Sequence, residues 1–283
     1  MSRLRLLAAS LALAACSDRL AREPTPPRYR WPQQFAWKVD YVSEAQRNRV
    51  SLLRYSERKT LRLALRDGDE YLLLPDSVLK TNQEPGAAPV LAPYSVEDTL
   101  AAYVRIGPRG EIRGVLFGCD PADPACSAAL PSSVRLELRR IIPRLTVWPV
   151  PPRGTWADTL EFDDSSRPGG TRGRVITSYA AVGDTVVGAE EYWLVSWVAV
   201  RRTWPRAPIG GGIVETPPVE ERGVTFVEKR RLLPVYSTWA GAAAAPPAIR
   251  ALGATASGFR GRAYLAGSSF DSAIARESGR EAP

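Results

Sequence analysis

The chain has 283 residues, a net charge of +8, three cysteines and no histidine, a length that allows one large domain or two small ones. Without histidine there is no Ser-His-Asp or Cys-His catalysis, no imidazole acid–base chemistry and no His-ligated metal. Only Lys38, Lys59, Lys80 and Lys229 are lysine among 38 basic residues; the arginines are scattered among acidic residues, which argues against a nucleic-acid partner and leaves attraction to anionic headgroups.

Arg3 and Arg5 precede an apolar run from Leu6 to Ala15. It is too short to span a bilayer and reads as a secretory signal peptide over residues 1–15. Leu13-Ala14-Ala15-Cys16 resembles the lipobox of bacterial lipoproteins at every position. The resemblance implies a diacylglyceryl thioether on the Cys16 sulfur, cleavage after Ala15 and acylation, as by palmitate, of the new amino terminus. Each buried methylene contributes about 0.8 kcal/mol, so two or three chains anchor stably where one does not. By the sorting rule of that family, Ser17 at the second mature position implies the outer membrane, facing the periplasm. No later run approaches the roughly 18 apolar residues of a transmembrane helix.

Residues 16–34, including SDRLAREPTPPRYRWPQQ, read as a Pro-rich extended tether. From residue 35 strand signals dominate. AWKVDYVS and RVSLLRYS mix apolar and β-forming residues, and in KTLRLALRDGDEYLLL the alternation around Asp67-Gly68 predicts a hairpin. AAYVRIGPRGEIRGVLF repeats that pattern around Arg109-Gly110, and RVITSYAAVGDTVVGAEEYWLVSWVAVRR places a type II′ turn at Gly183-Asp184. Between the second and third of these lies FGCDPADPACSAAL. An exported protein meets an oxidising compartment, so Cys119 and Cys126 are expected to pair across this turn-rich segment, stabilising by about 2.5 kcal/mol in the chain-entropy model. The Cys-x6-Cys spacing and the missing histidine argue against zinc there, and no metal or other cofactor is expected.

In LPSSVRLELRRIIPRL, Leu130, Val134, Leu138, Ile141 and Ile142 make one helical stripe. Ser132 or Ser133 can cap the start, Pro143 marks the end, and Arg135, Arg139 and Arg140 lie off the stripe. WPRAPIGGGIVETPPVEERG reads as a long loop, GVTFVEKRRLLPVYSTW and GFRGRAYLAG as closing strands, and residues 269–283 as a frayed tail. The expected fold is mainly β: a large curved antiparallel sheet or half-barrel over residues 35–268, with one principal amphipathic helix packed on it.

PVPPRGTWADT, with its Trp156-Ala157-Asp158-Thr159 core, resembles a segment of exported bacterial proteins. The element order is similar in architecture to lipoprotein carriers of the LolA and LolB type. That resemblance implies an incurved sheet around a greasy cavity closed by helices, and it transfers no functional residue.

Three constellations suggest chemistry. Ser77-Val78-Leu79-Lys80 has the S-x-x-K spacing of penicillin-recognising enzymes, but no S-D-N or K-T-G accompanies it. Asp163-Asp164, Glu190-Glu191 and Glu220-Glu221 pair carboxylates, yet strand neighbours point to opposite faces and cannot flank one substrate. Trp193 and Trp197 share one face of a strand whose other face, with Leu194, Val198 and Val200, is also apolar. They read either as core or as the lining of a concave ligand cavity whose opposite face the helix or a loop covers. The sequence thus points to a non-catalytic envelope lipoprotein binding an acyl chain, a lipid or another envelope protein. The alternatives are an envelope hydrolase using carboxylates or a Ser-Lys pair, and an envelope scaffold without ligand.

Overall fold

The period-two runs become long strands. In a computed structural model describing residues 28–48, 50–94, 98–118, 130–145, 154–163, 171–205, 216–244, 250 and 253–280, these strands are β1 (Gln34–Arg47), β2 (Val50–Asp67), β3 (Glu70–Gln83), β4 (Val90–Leu91), β5 (Ala102–Ile106), β6 (Ile112–Phe117), β7 (Thr155–Asp163), β8 (Thr171–Val187), β9 (Glu190–Pro205), β10 (Val219–Glu228), β11 (Leu233–Ala244) and β12 (Ala256–Leu265). They form one antiparallel sheet in the order β6-β5-β3-β2-β1-β12-β11-β10-β9-β8-β7, with β4 paired to β3, and the sheet does not close into a barrel. The helix α1 (Leu130–Ile141) packs on one face and touches both β6, at the edge, and β11, near the middle. A helix can meet strands so far apart only if the sheet curves around it, so the face carrying α1 is the inner one.

Val134, Leu138, Ile141 and Ile142 deliver the expected apolar stripe into the core. The helix begins at Leu130, so Ser132 and Ser133 lie in its first turn rather than capping it. Beyond Ile142, Pro143 has no N–H to continue the ladder. The segment after α1 fastens both free edges of the sheet. Leu145 N–H donates to the Arg109 carbonyl in the β5–β6 turn at 2.8 Å, and Trp156 Nε1 on β7 donates to the Arg144 carbonyl at 2.5 Å.

The inner face makes room for α1 by pairing aromatics with glycines. Trp197 lies opposite Gly223, Trp239 opposite Gly261, Phe259 opposite Gly241 and Phe162 opposite Gly173. A Cβ on any of these glycines would fall 2.1–2.4 Å from the facing ring. Each ring therefore lies flat across its neighbour strand, the cross-strand device that compensates for glycine in a sheet.

Four expectations change. Gly183-Asp184 is not the turn, because β8 runs through it. Gly183, with φ 147°, sits at a register shift, and the strands reverse at Gly188-Ala189, where Gly188 has φ 65°. The expected tether ends early, since Tyr29 is 4% exposed and its hydroxyl donates to the Pro143 carbonyl at 2.7 Å. Trp31 joins the same cluster of rings with Phe35 and Trp37. Residues 269–280 are no frayed tail but a helix, α2 (Ser269–Arg280). Ser268 Oγ accepts from Asp271 N–H, Lys38 Nζ holds the Asp271 carboxylate at 2.8 Å, and Phe270 stacks on Tyr236 at 4.7 Å. The fourth concerns which face α1 covers. Trp193 and Trp197 point to the same face as α1, not to the one opposite it.

Candidate ligand-binding site

Trp197 is 4% exposed, and its indole N–H donates to Thr225 Oγ1 at 3.3 Å. Trp193 is half-buried against the same core. The layer around these two residues is packed, and its chemistry is ionic as well as apolar. Arg140 grips Glu221 of β10 through two bonds of 2.7 Å. Lys59 of β2 bridges Glu57 and Glu137 at 2.8 Å each, and Arg139 and Arg144 both engage the buried Asp158 of β7. Burial lowers the proton affinity of Lys59, but the Glu137 and Glu57 carboxylates outweigh it and the net direction is upward. For Arg139 burial wins: the Tyr179 side chain opposes it, but Arg144 adds like-charge repulsion and the net direction is downward.

The constellations singled out for catalysis disperse. Ser77 is exposed in β3 with φ 52°, while Lys80 is buried and pairs with Asp98 at 2.5 Å. Both belong to one strand, so no helical turn joins them. Glu220 pairs with Arg222 on the outer face whereas Glu221 meets Arg140 on the inner one. Glu190 accepts from Ser269, and Glu191 accepts from Lys229. Asp163 ends β7, and Asp164 lies outside the described residues, as do Cys16, Cys119 and Cys126.

The outer face carries the larger concavities. Strand register sets Ala180, Ser196, Val224 and Thr238 side by side across β8 to β11, and beneath them Ser178, Val198, Arg222, Ala240 and Arg260 across β8 to β12. Small side chains on a twisted sheet leave an open trough of about 680 Å³ with a mostly apolar floor. Val198 is 41% exposed within it. The trough adjoins a polar cleft of about 580 Å³ that shares Thr238 and Arg260 and adds Arg54, Arg58 and Arg262. Asp40 holds Arg58 at 3.0 Å and Arg262 at 2.9 Å. Arg54 and Arg260 are exposed and form no ion pair among the described residues. The arrangement offers apolar contact along one stretch and, along the next, four arginines against the carboxylates of Asp40 and Glu57. Sequence reading missed it because each strand contributes only one or two side chains; the available signal was the run of small outward residues at Ser178, Ala180, Ser196 and Ala240.

No family model and no curated protein matches the chain. Among solved structures it is similar to a lipovitellin structure concerned with lipid–protein interactions, with 9% sequence identity and a TM-score of 0.38. The match covers 83% of this chain and only 25% of that one. At this level the likeness carries no argument about what this chain binds. The fold defines a class, a mainly β protein whose open antiparallel sheet curves around one helix.

Proposed function

We propose that the protein is a lipid-anchored, non-catalytic component of the cell envelope that binds an acyl chain bearing an anionic head on the outer face of its sheet. The observation that carries this reading is the apolar trough continuing into a cleft with Arg54 and Arg260. Its volume falls within the range of about 300–1,000 Å³ typical of small-molecule sites. The resemblance of Leu13-Ala14-Ala15-Cys16 to a lipobox supports a lipid anchor, and Ser17 at the second mature position supports the outer membrane. The carboxylates of the inner face support a structural role over a hydrolytic one, since Glu221, Asp158, Glu57 and Glu137 are all held by cations.

Oleate titrated into the detergent-purified full-length protein should bind saturably. Val198→Asp, which puts a like charge in the trough without touching the core, should abolish binding and leave the thermal midpoint unchanged. Binding that survives both Val198→Asp and Arg260→Glu would remove this reading. Mass spectrometry of the same preparation should find a chain that begins at Cys16 and carries acyl mass.

A further inference from the structure

The first described residues show where the chain enters the sheet. Tyr29 N–H donates to the Pro108 carbonyl at 2.7 Å and Trp31 Nε1 to the Gly107 carbonyl at 3.3 Å, both in the β5–β6 turn. Strands alternate in direction, so this near end also carries the β2–β3 turn at Gly68-Asp69, while the β1–β2 turn and residues 84–89 lie at the far end. An anchor at Cys16 leaves residues 16–27 as its tether, twelve residues that reach at most about 42 Å when fully extended. Strand β1, with 14 residues, is about 46 Å long. A molecule standing on its far end would need a longer tether, which leaves the near end or a broad face toward the bilayer. Both broad faces carry a helix, α1 inside and α2 outside over Phe226 and Tyr236, so neither lies flat on a plane.

Charge marks one half of the near end. Arg66 and Arg105 are held there by Glu70 at 3.5 and 3.2 Å, and Arg113 by Asp69 at 3.1 Å. Arg28 and Arg30 are exposed on either side of buried Tyr29, whose bond to Pro108 sets them beside Arg109, and none of these three arginines forms an ion pair among the described residues. The carboxylates left to oppose them are Asp67 and Glu111, and Glu111 already accepts from the Arg109 main-chain N–H at 3.0 Å. Six arginines thus face four carboxylates, an excess of two positive charges where the tether ends. Toward β9 the sign reverses: Asp184, Glu190, Glu191 and Glu228 outnumber Lys229, Arg230 and Arg231. We infer that the β2–β3 and β5–β6 end of the sheet is a docking surface for the anionic headgroups of a bilayer, with Arg28, Arg30 and Arg109 meeting their phosphates. This rests on the lipid-anchor reading and adds an orientation to it: the strands stand upright, and the outer trough faces sideways, clear of the bilayer.

The test uses the membrane-extracted protein reconstituted into vesicles of phosphatidylcholine alone or with about 30% phosphatidylglycerol, an anionic content chosen to attract a basic surface. Phenylglyoxal modifies accessible arginines, and peptide mass spectrometry reads each site. Arg28, Arg30 and Arg109 should lose reactivity on the anionic vesicles at low salt, keep it on the neutral ones, and regain it at high salt, where exposed charges are screened. Arg54 and Arg260 on the outer face should stay reactive throughout. Each arginine near the surface contributes about fivefold to the docked-to-free ratio, so Arg28→Gln with Arg30→Gln should lower it about 25-fold, expose Arg109 to the reagent and leave the thermal midpoint unchanged. Equal reactivity on the two vesicles, protection that falls on Arg54 and Arg260 instead, or an Arg109 still protected in the double variant would each overturn the assignment. The anchor is read separately: protein that leaves neutral vesicles at high salt has none, and its docking is then read from the same protection pattern on added anionic vesicles.

Discussion

Replacing Gly223 by alanine tests whether the aromatic–glycine pairs set the spacing of the inner layer. The added Cβ would lie 2.4 Å from Trp197 Cζ2, 2.6 Å from Trp197 Cε2 and 2.5 Å from the Thr238 carbonyl oxygen. None of these is the far end of a flexible side chain, and the indole is fixed by its bond to Thr225. Overpacking of this kind costs about 1–3 kcal/mol, and displacing the ring sacrifices its hydrogen bond for about 1 kcal/mol more. Against that, alanine in a strand regains about 0.5–1 kcal/mol of the glycine penalty. The net loss is about 1–3.5 kcal/mol, and the middle of that range lowers the midpoint by about 4–9 °C in a domain of this size. Thermal or urea unfolding followed by circular dichroism measures it. Gly258→Ala is the control, since its Cβ meets nothing within 4 Å, and it should be neutral or slightly stabilising. Equal effects at the two positions, or stabilisation at Gly223, would refute the packing account. Combining Gly223→Ala with Trp197→Leu should recover part of the loss, because neighbours that collide are not additive.

Glu221→Gln should cost about 3 kcal/mol, read in the same unfolding assay, because the amide retains one acceptor of two, puts an NH2 donor against the guanidinium and leaves the Arg140 cation without its partner charge. Alkaline pH should weaken the fold. Burial raises the proton affinity of Tyr29, Tyr41, Tyr179 and Tyr236, and Tyr192 is pushed up to about 12 by burial and then by its bond to Glu190. A phenol with a raised native pKa stabilises fully below pH 10 and loses that contribution as pH climbs through the native value, so the urea midpoint should fall progressively from pH 10 to 12; a flat profile would contradict the burial of these rings. Thiol labelling of the exported protein without reductant should leave Cys119 and Cys126 unmodified, and labelling of both in the folded state would remove the expected disulfide.

Periodicity made the strands legible because most of them bury one face along most of their length. KTLRLALRDGDEYLLL turns at Gly68 (φ 55°) as its alternation required, and the α1 stripe from Val134 to Ile142 enters the core. Gly183 misled for a local reason: Gly-Asp suits a turn, but a long strand can also absorb it as a bulge, and only the register with β9 decides between them. Trp197 left two readings open for a different reason. Parity correctly puts Trp193 and Trp197 on one face, but parity cannot say which face the helix takes. Arg139 and Arg140 lie off the apolar stripe, as their spacing says, and still pack inward, because Asp158 and Glu221 come from strands far away in sequence.

That last point decides where a ligand can go. Twelve strands would ordinarily leave two exposed edges, a liability in any sheet. Here the residues after α1 reach both ends of the strand order: Leu145 meets the turn beside β6, while Arg144 meets Trp156 and Asp158 on β7. To span that gap the helix must lie inside the curve, and once inside it occupies the concave space that a greasy carrier would keep open. Ion pairs fill much of what the apolar stripe does not. Among the described residues the inner face therefore leaves little room for a long hydrophobic ligand, and the larger concavity is the trough between Ala180 and Arg260 on the outer face.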